Sequence, residues 1–150
     1  MSFPITIAVY LLVVGAGASL AFQQVLNENL RVAIGSPWWA GFGSYLGGML
    51  VMLAVASLAP GPRLSLAAVS RTPWPVWTGG IFGAIYITVA ILTVPRLGAA
   101  TVLALVVVGQ MVGSLTFDQF GLLGLPQQPI TLARLAGAGL LIAGVILIRR

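Results

Sequence analysis

The chain has 150 residues, 59% of them hydrophobic and 6% charged, with a net charge of +5 and neither cysteine nor histidine. Soluble domains carry about a quarter charged residues, so this composition excludes a water-facing exterior and puts the chain in lipid. The missing residue types exclude disulfide frameworks, Cys/His metal centres and Ser–His or Cys–His nucleophile pairs.

Crossing about 30 Å of hydrocarbon takes about 20 apolar residues in a helix, and five stretches meet that length. The first covers about residues 3–26. Ala16-Gly17-Ala18 would suit a leader peptidase, but no basic segment precedes it and the apolar run exceeds a usual leader core, so cleavage is not expected. The end of this span is polar. Ser19, Gln23 and Asn27 fall four apart and so share one helical face. Gln24 and Glu28 form a second such pair, and Arg31 follows Glu28 by three. Two readings stand side by side: an ion pair of Glu28 and Arg31 closing the helix at the membrane edge, or a polar wall along a solute path.

Gly35-Ser36-Pro37 separates the first span from the second, at about residues 38–58. The second opens on Trp38 and Trp39 and carries Tyr45. The APGPR segment and a short loop over residues 64–73 lead to a third span at about 74–94, which holds Trp74, Trp77 and Tyr86. The tryptophans lie at span ends, where indole rings favour the headgroup layer. Pro95 predicts a tight break before a fourth span at about 97–117. There Gln110, Ser114 and Asp118 again fall four apart on one face. The LPQQP segment then precedes a fifth span at about 130–148.

Polar side chains within spans are costly and usually face a cavity or another helix. Ser19, Gln23, Asn27, Tyr45, Tyr86, Gln110 and Ser114 are therefore candidates for a substrate path, and Asp118 and Glu28 for proton coupling. The plainer readings are that the tyrosines pack with satisfied hydroxyls and that Asp118 caps a neighbouring turn. Small residues four apart (Gly43 and Gly47, Gly79 and Gly83, Gly109 and Gly113, Ala133 and Gly137) suit close helix packing, mostly internal. Ala136, Gly139 and Ala143 in the last span are the candidate subunit seam.

Five spans put the termini on opposite sides. Arg63, Arg71 and Arg134 then fall on one side, and Arg31, Arg96, Arg149 and Arg150 on the other. Orientation follows an excess of Lys and Arg in cytoplasmic loops, and three against four is nearly a tie. Either the C-terminal pair decides the orientation, or copies insert both ways and form an inverted pair. The scattered arginines make no basic stripe, and nucleic-acid binding is not expected.

The stretch GQMVGSLTFDQFGLLGLPQQPITLARLAGAGLLIAGVIL (residues 109–147) resembles the YdcZ-like family of the drug/metabolite transporter superfamily. QQVLNENLRVAIGSPWWAGFGSYLGG (23–48) and GGIFGAIYITVAILTVPRLGAATVLALVVVGQ (79–110) resemble it too. The resemblance implies five-span membrane proteins occurring singly, in pairs or fused, akin to small multidrug transporters. Its motif positions map to Gln23, Asn27, Pro37, Gly109, Gln110 and Asp118, while Gln119 stands where many members carry histidine. Small multidrug transporters also carry a glutamate in the middle of their first span, and Glu28 lies later.

The expectation is an all-α integral membrane protein, a bundle of about five transmembrane helices forming one domain over residues 1–150 of the inner membrane. It would be a non-enzymatic transporter subunit with no cofactor or metal, moving a small solute as an antiparallel homodimer in lipid. The rivals are a non-transporting scaffold or regulatory subunit, and one half of a heteromeric transporter.

Overall fold

A computed structural model describes residues 3–148, and among them there is no strand. Six helices follow in chain order: α1 (Phe3–Ile34), α2 (Pro37–Leu58), α3 (Leu66–Arg71), α4 (Gly79–Leu97), α5 (Ala99–Phe120) and α6 (Leu132–Ile148). Four helical stretches are long and apolar enough to cross a membrane: Ile5–Ile34, Pro37–Leu58, Trp74–Leu97 and Ala99–Phe120. The fifth apolar helix, α6, has 17 residues, about 25 Å of rise, at the lower limit for a span.

The first helix runs well beyond the predicted end of its span. Its 32 residues rise about 48 Å, about 18 Å more than the thickness of the hydrocarbon layer. The apolar residues lie toward its N-terminus and the polar ones toward its C-terminal end. Gln, Leu, Glu and Arg are good helix formers, and nothing in that stretch breaks the helix before Gly35. There a φ of +68° makes the left-handed stop that glycine allows. Ser36 then caps α2, its hydroxyl accepting from the Trp39 amide at 3.4 Å, with Pro37 in the first turn.

The loop after α2 contains α3, whose first turn is capped by Ser65 accepting from the Ala68 amide at 3.1 Å. A single 3₁₀ turn over Trp74–Thr78 leads into α4. Pro95, predicted to break the chain, lies inside the last turn of α4. A proline there withdraws only one hydrogen bond near the helix end, and the chain turns instead at Gly98, where φ is +80°. Arg149 and Arg150, two of the four arginines expected on one side of the membrane, lie outside the described residues.

The chain forms two compact units, Met1–Pro95 and Arg96–Arg150. In the first, α1 packs along α2, and α4 is held through side chains: Ala40 of α2 is buried with Ile87 and Ile91 of α4, and Tyr86 packs beside them. In the second, α5 packs along α6. Leu12, Phe82 and Leu140 typify the large apolar side chains left exposed, an exterior suited to acyl chains and not to water.

Two of the small-residue pairs hold a glycine whose added Cβ would touch a neighbour, in ordinary van der Waals contact at Gly43 and in collision at Gly83. A Cβ on Gly43 would stand 3.6 Å from Leu30 Cδ2, at the α1–α2 seam, and one on Gly83 would stand 2.5 Å from the Tyr45 hydroxyl. At Gly47, Gly79, Gly109, Gly113 and Gly137 a Cβ would meet nothing within 4 Å.

Candidate functional site

The polar end of α1 faces α2 and α4. Gln23 is half-buried and its side-chain amide donates to Ser44 Oγ of α2 across 3.4 Å, a long bond. Gln24, one residue on, is 1% exposed. Its Nε2 donates to the Tyr86 hydroxyl of α4 at 2.8 Å, which ties the first helix to the fourth. Successive helix residues are turned about 100° from each other, so the two glutamines address different neighbours.

A cavity of about 440 Å³ opens where these helices meet. Gln23, Ser44, Tyr45 and Tyr86 supply its polar groups. Leu20, Met49, Met52 and Ile87 supply its apolar wall, and Gly48 leaves room between them. Gly83 is part of the same construction although it is not on the wall, because a side chain there would collide with the Tyr45 hydroxyl. A largely apolar pocket of this size with a few convergent polar groups is the usual form of a small-molecule site.

Two buried polar atoms of α1 have no hydrogen-bond partner among the described residues, the Gln24 carbonyl oxygen and the Asn27 amide nitrogen. Asn27 is 4% exposed. Buried polar groups are nearly always paired, and here an acceptor and a donor about one turn apart on α1 are left without a protein partner among the described residues.

The second unit holds a different arrangement. Asp118, near the end of α5, accepts from Arg134 Nη1 of α6 at 3.2 Å, and Arg134 Nη2 donates to Gln128 Oε1 at 2.7 Å. Ser114, Asp118 and Arg134 line a cavity of about 390 Å³ with Met111, Leu141 and small residues of α6. Gln119 binds the connecting loop: its side-chain oxygen accepts from the Ile130 amide at 2.7 Å, and its backbone oxygen from Gln127 at 2.8 Å.

The candidates from sequence thus fall into five settings. Gln23, Tyr45 and Tyr86 meet in one cavity, and Ser114 and Asp118 line another. Asn27 is buried beside Gln24 on α1. Glu28 is held by Arg31 through two bonds, at 2.6 and 2.8 Å. Ser19 is exposed and donates to the Ala16 carbonyl of its own helix, and Gln110 is exposed near the middle of α5.

Three residues that join these arrangements lie outside the candidates read from sequence. Ser44 carried no signal, since a lone serine in an apolar span reads as filler. Gln24 was visible as the partner of Glu28 in spacing, but which of two adjacent glutamines faces inward depends on where α4 sits. Arg134 was read for its charge alone, and its pairing with Asp118 spans 16 residues that include a loop.

Apolar helices of spanning length, outward-facing leucines and phenylalanines, and polar groups gathered between helices define a multi-pass, all-α membrane protein. Residues 8–147 match the family described as "Putative inner membrane exporter, YdcZ", and the chain belongs to that family. It is 26% identical over 137 residues to "Inner membrane protein YdcZ" of Escherichia coli (strain K12), covering 91% of each chain. No solved structure matches it. Membership gives the chain a multi-pass inner-membrane location and a role in membrane transport.

Proposed function

We propose that the chain is one subunit of an exporter of small solutes, acting as a single transmembrane domain within an antiparallel homodimer. The observation that carries the reading is the cavity between α1, α2 and α4, where Gln23, Ser44, Tyr45 and Tyr86 converge. A scaffold has no use for a space into which polar groups from three apolar helices converge.

Support for the dimer comes from α5. Gln110 is exposed near the middle of the helix and has no hydrogen-bond partner among the described residues. Gly109 and Gly113 beside it leave open space. A carboxamide facing acyl chains is unfavourable, and a second copy laid on this face would both pair the amide and use the small residues. The near tie in loop arginines supports opposite orientations of the two copies.

Proton coupling through Asp118 or Glu28 completes the proposal. Each carboxylate is held by an arginine, at 3.2 Å from Arg134 and 2.6 Å from Arg31. A proton taken up by either would release its guanidinium, a local change that a transport cycle could use.

The test is gradient-driven flux of a broad solute panel into liposomes that contain only this protein. No flux of any solute would favour a scaffold or a heteromer. Orientation is read by cysteine labelling from each side. Leu64 and Leu125 suit it, being exposed loop residues with ordinary backbone angles. Labelling of both positions from both sides supports dual insertion, and labelling from one side only refutes it. Unchanged pH dependence of flux in both Asp118→Asn and Glu28→Gln would remove proton coupling from the reading.

A further inference from the structure

We infer that the cavity between α1, α2 and α4 selects an uncharged, amphipathic solute and rejects ions of the same shape. The inference rests on the reading that this cavity lies on the solute path. Its wall holds two tyrosine hydroxyls, a serine hydroxyl and one carboxamide, and no ionisable acid or base with a charge at neutral pH. Within the first unit the charged side chains of the described residues are Glu28, Arg31, Arg63 and Arg71. None of them lines the cavity, and Glu28 and Arg31 are spent on each other. An ion entering would lose water and meet no counter-charge on this wall, and burial of an unpaired ion is heavily penalised. The tyrosine faces offer a cation only a weak substitute for a carboxylate, since cation–π attraction is smaller than that penalty.

The polar groups that are present suit neutral donors and acceptors. Tyr86 Oη accepts from Gln24, which leaves its own hydroxyl proton to donate. Tyr45 holds its hydroxyl over Gly83. Gln23 uses its amide nitrogen on Ser44, which leaves its carbonyl oxygen to accept. A carbonyl, hydroxyl or amide on the solute would therefore find a partner of the right kind. Met49 and Met52 give the lining a flexible, polarisable surface that adapts to varied apolar bodies. About 440 Å³ admits a single-ring molecule with a short polar arm.

Three probes of one shape separate charge from size: 3-phenylpropanamide (uncharged), 3-phenylpropylammonium (cationic) and 3-phenylpropanoate (anionic). Binding is measured by equilibrium dialysis against the full chain in lipid nanodiscs, with empty nanodiscs subtracting partition into lipid. The amide is expected to bind saturably and at least about tenfold more tightly than either ion. Gln23→Leu and Tyr86→Phe are each expected to weaken it by about 2- to 10-fold, as loss of one hydrogen bond would. An ion that binds as tightly as the amide, or no saturable binding of any probe, overturns the inference. Flux measurements keep the two readings apart. Export of an ionic solute that Gln23→Leu abolishes would sink the charge selection and leave the transport reading standing. Saturable amide binding without flux of any solute would do the reverse.

Discussion

Replacing Tyr86 by phenylalanine deletes one oxygen atom and strands a buried amide. Gln24 is 1% exposed, and its Nε2 reaches the Tyr86 hydroxyl at 2.8 Å. Its carbonyl oxygen is already unpaired, so in Tyr86→Phe neither end of the carboxamide has a partner. Leaving a buried donor unsatisfied costs about 1–3 kcal/mol, although hydrogen bonds between membrane helices measured by double-mutant cycles average only about 0.6 kcal/mol, with a maximum near 1.7. We expect a loss of about 1–2 kcal/mol, or about 2–8 °C in the unfolding midpoint for a chain of this length. Gln24→Leu should behave differently. It gives up the same hydrogen bond, but it also removes the unpaired carbonyl, and it leaves the Tyr86 hydroxyl facing a cavity where another partner can reach it. Gln24→Leu is therefore expected to lie within about 0.5 kcal/mol of the parent, and the double variant to match it. Thermal unfolding of the four proteins in one detergent reads the cycle. A Gln24→Leu variant that loses as much stability as Tyr86→Phe would refute the reasoning, because it would mean that the Gln24 carbonyl has a partner.

Gly83→Ala would set a methyl group 2.5 Å from the Tyr45 hydroxyl, and the ring end can swing away, so binding of an uncharged probe should fall several-fold with little loss of stability. Adding Tyr45→Phe to Gly83→Ala removes the clashing oxygen and should recover part of that binding; no recovery would show that the clash is not the cause. Gly121→Ala should cost about 1–2 kcal/mol, since Gly121 has φ +58° and a Cβ there would meet the Leu125 carbonyl at 3.2 Å; an unchanged midpoint would contradict it. Asp118 and Arg134 are each about one-third exposed, so Asp118→Asn should cost under about 1 kcal/mol. A large loss of flux in that variant at unchanged stability would then assign the pair a part in transport beyond holding α5 to α6.

Composition alone was enough to place the chain in lipid, and the separators built on Gly35-Ser36-Pro37 and on the loop before α6 lie where turn chemistry puts them. The boundaries slipped wherever span length was used as a proxy for helix length. Hydropathy reports where apolar residues stop, and a helix stops only where backbone geometry ends it. That is why α1 continues through Gln23, Asn27 and Arg31 to a left-handed glycine, and why α4 passes Pro95 and turns at Gly98. The helix α3 was hidden because six residues carry too little periodicity to read, though Ser65 before an Ala-rich run was its signature.

The site was legible to a similar depth. Four-residue spacing correctly put Gln23 and Asn27 on neighbouring turns of one helix, but spacing describes a face and not what the face meets. Whether Gln23 or Gln24 is the deeper residue depends on α4, and α4 approaches α1 only through side chains of its own choosing, Tyr86 above all. The glycines make the same point from the other side. Small residues four apart occur in four helices, yet only Gly83 is required by a polar group of the site, and the atom it makes room for belongs to Tyr45, 38 residues earlier in the chain. A pattern within one helix can say that a close approach is permitted. Which approach is used, and whether it seats a hydroxyl beside a cavity or a helix of another copy, is decided by the partner. Gly83 and Gly109 are therefore alike in sequence and opposite in consequence: a methyl group at Gly83 should disturb the cavity of a single chain, while one at Gly109 meets nothing within 4 Å among the described residues and would be felt where a second copy lies against α5.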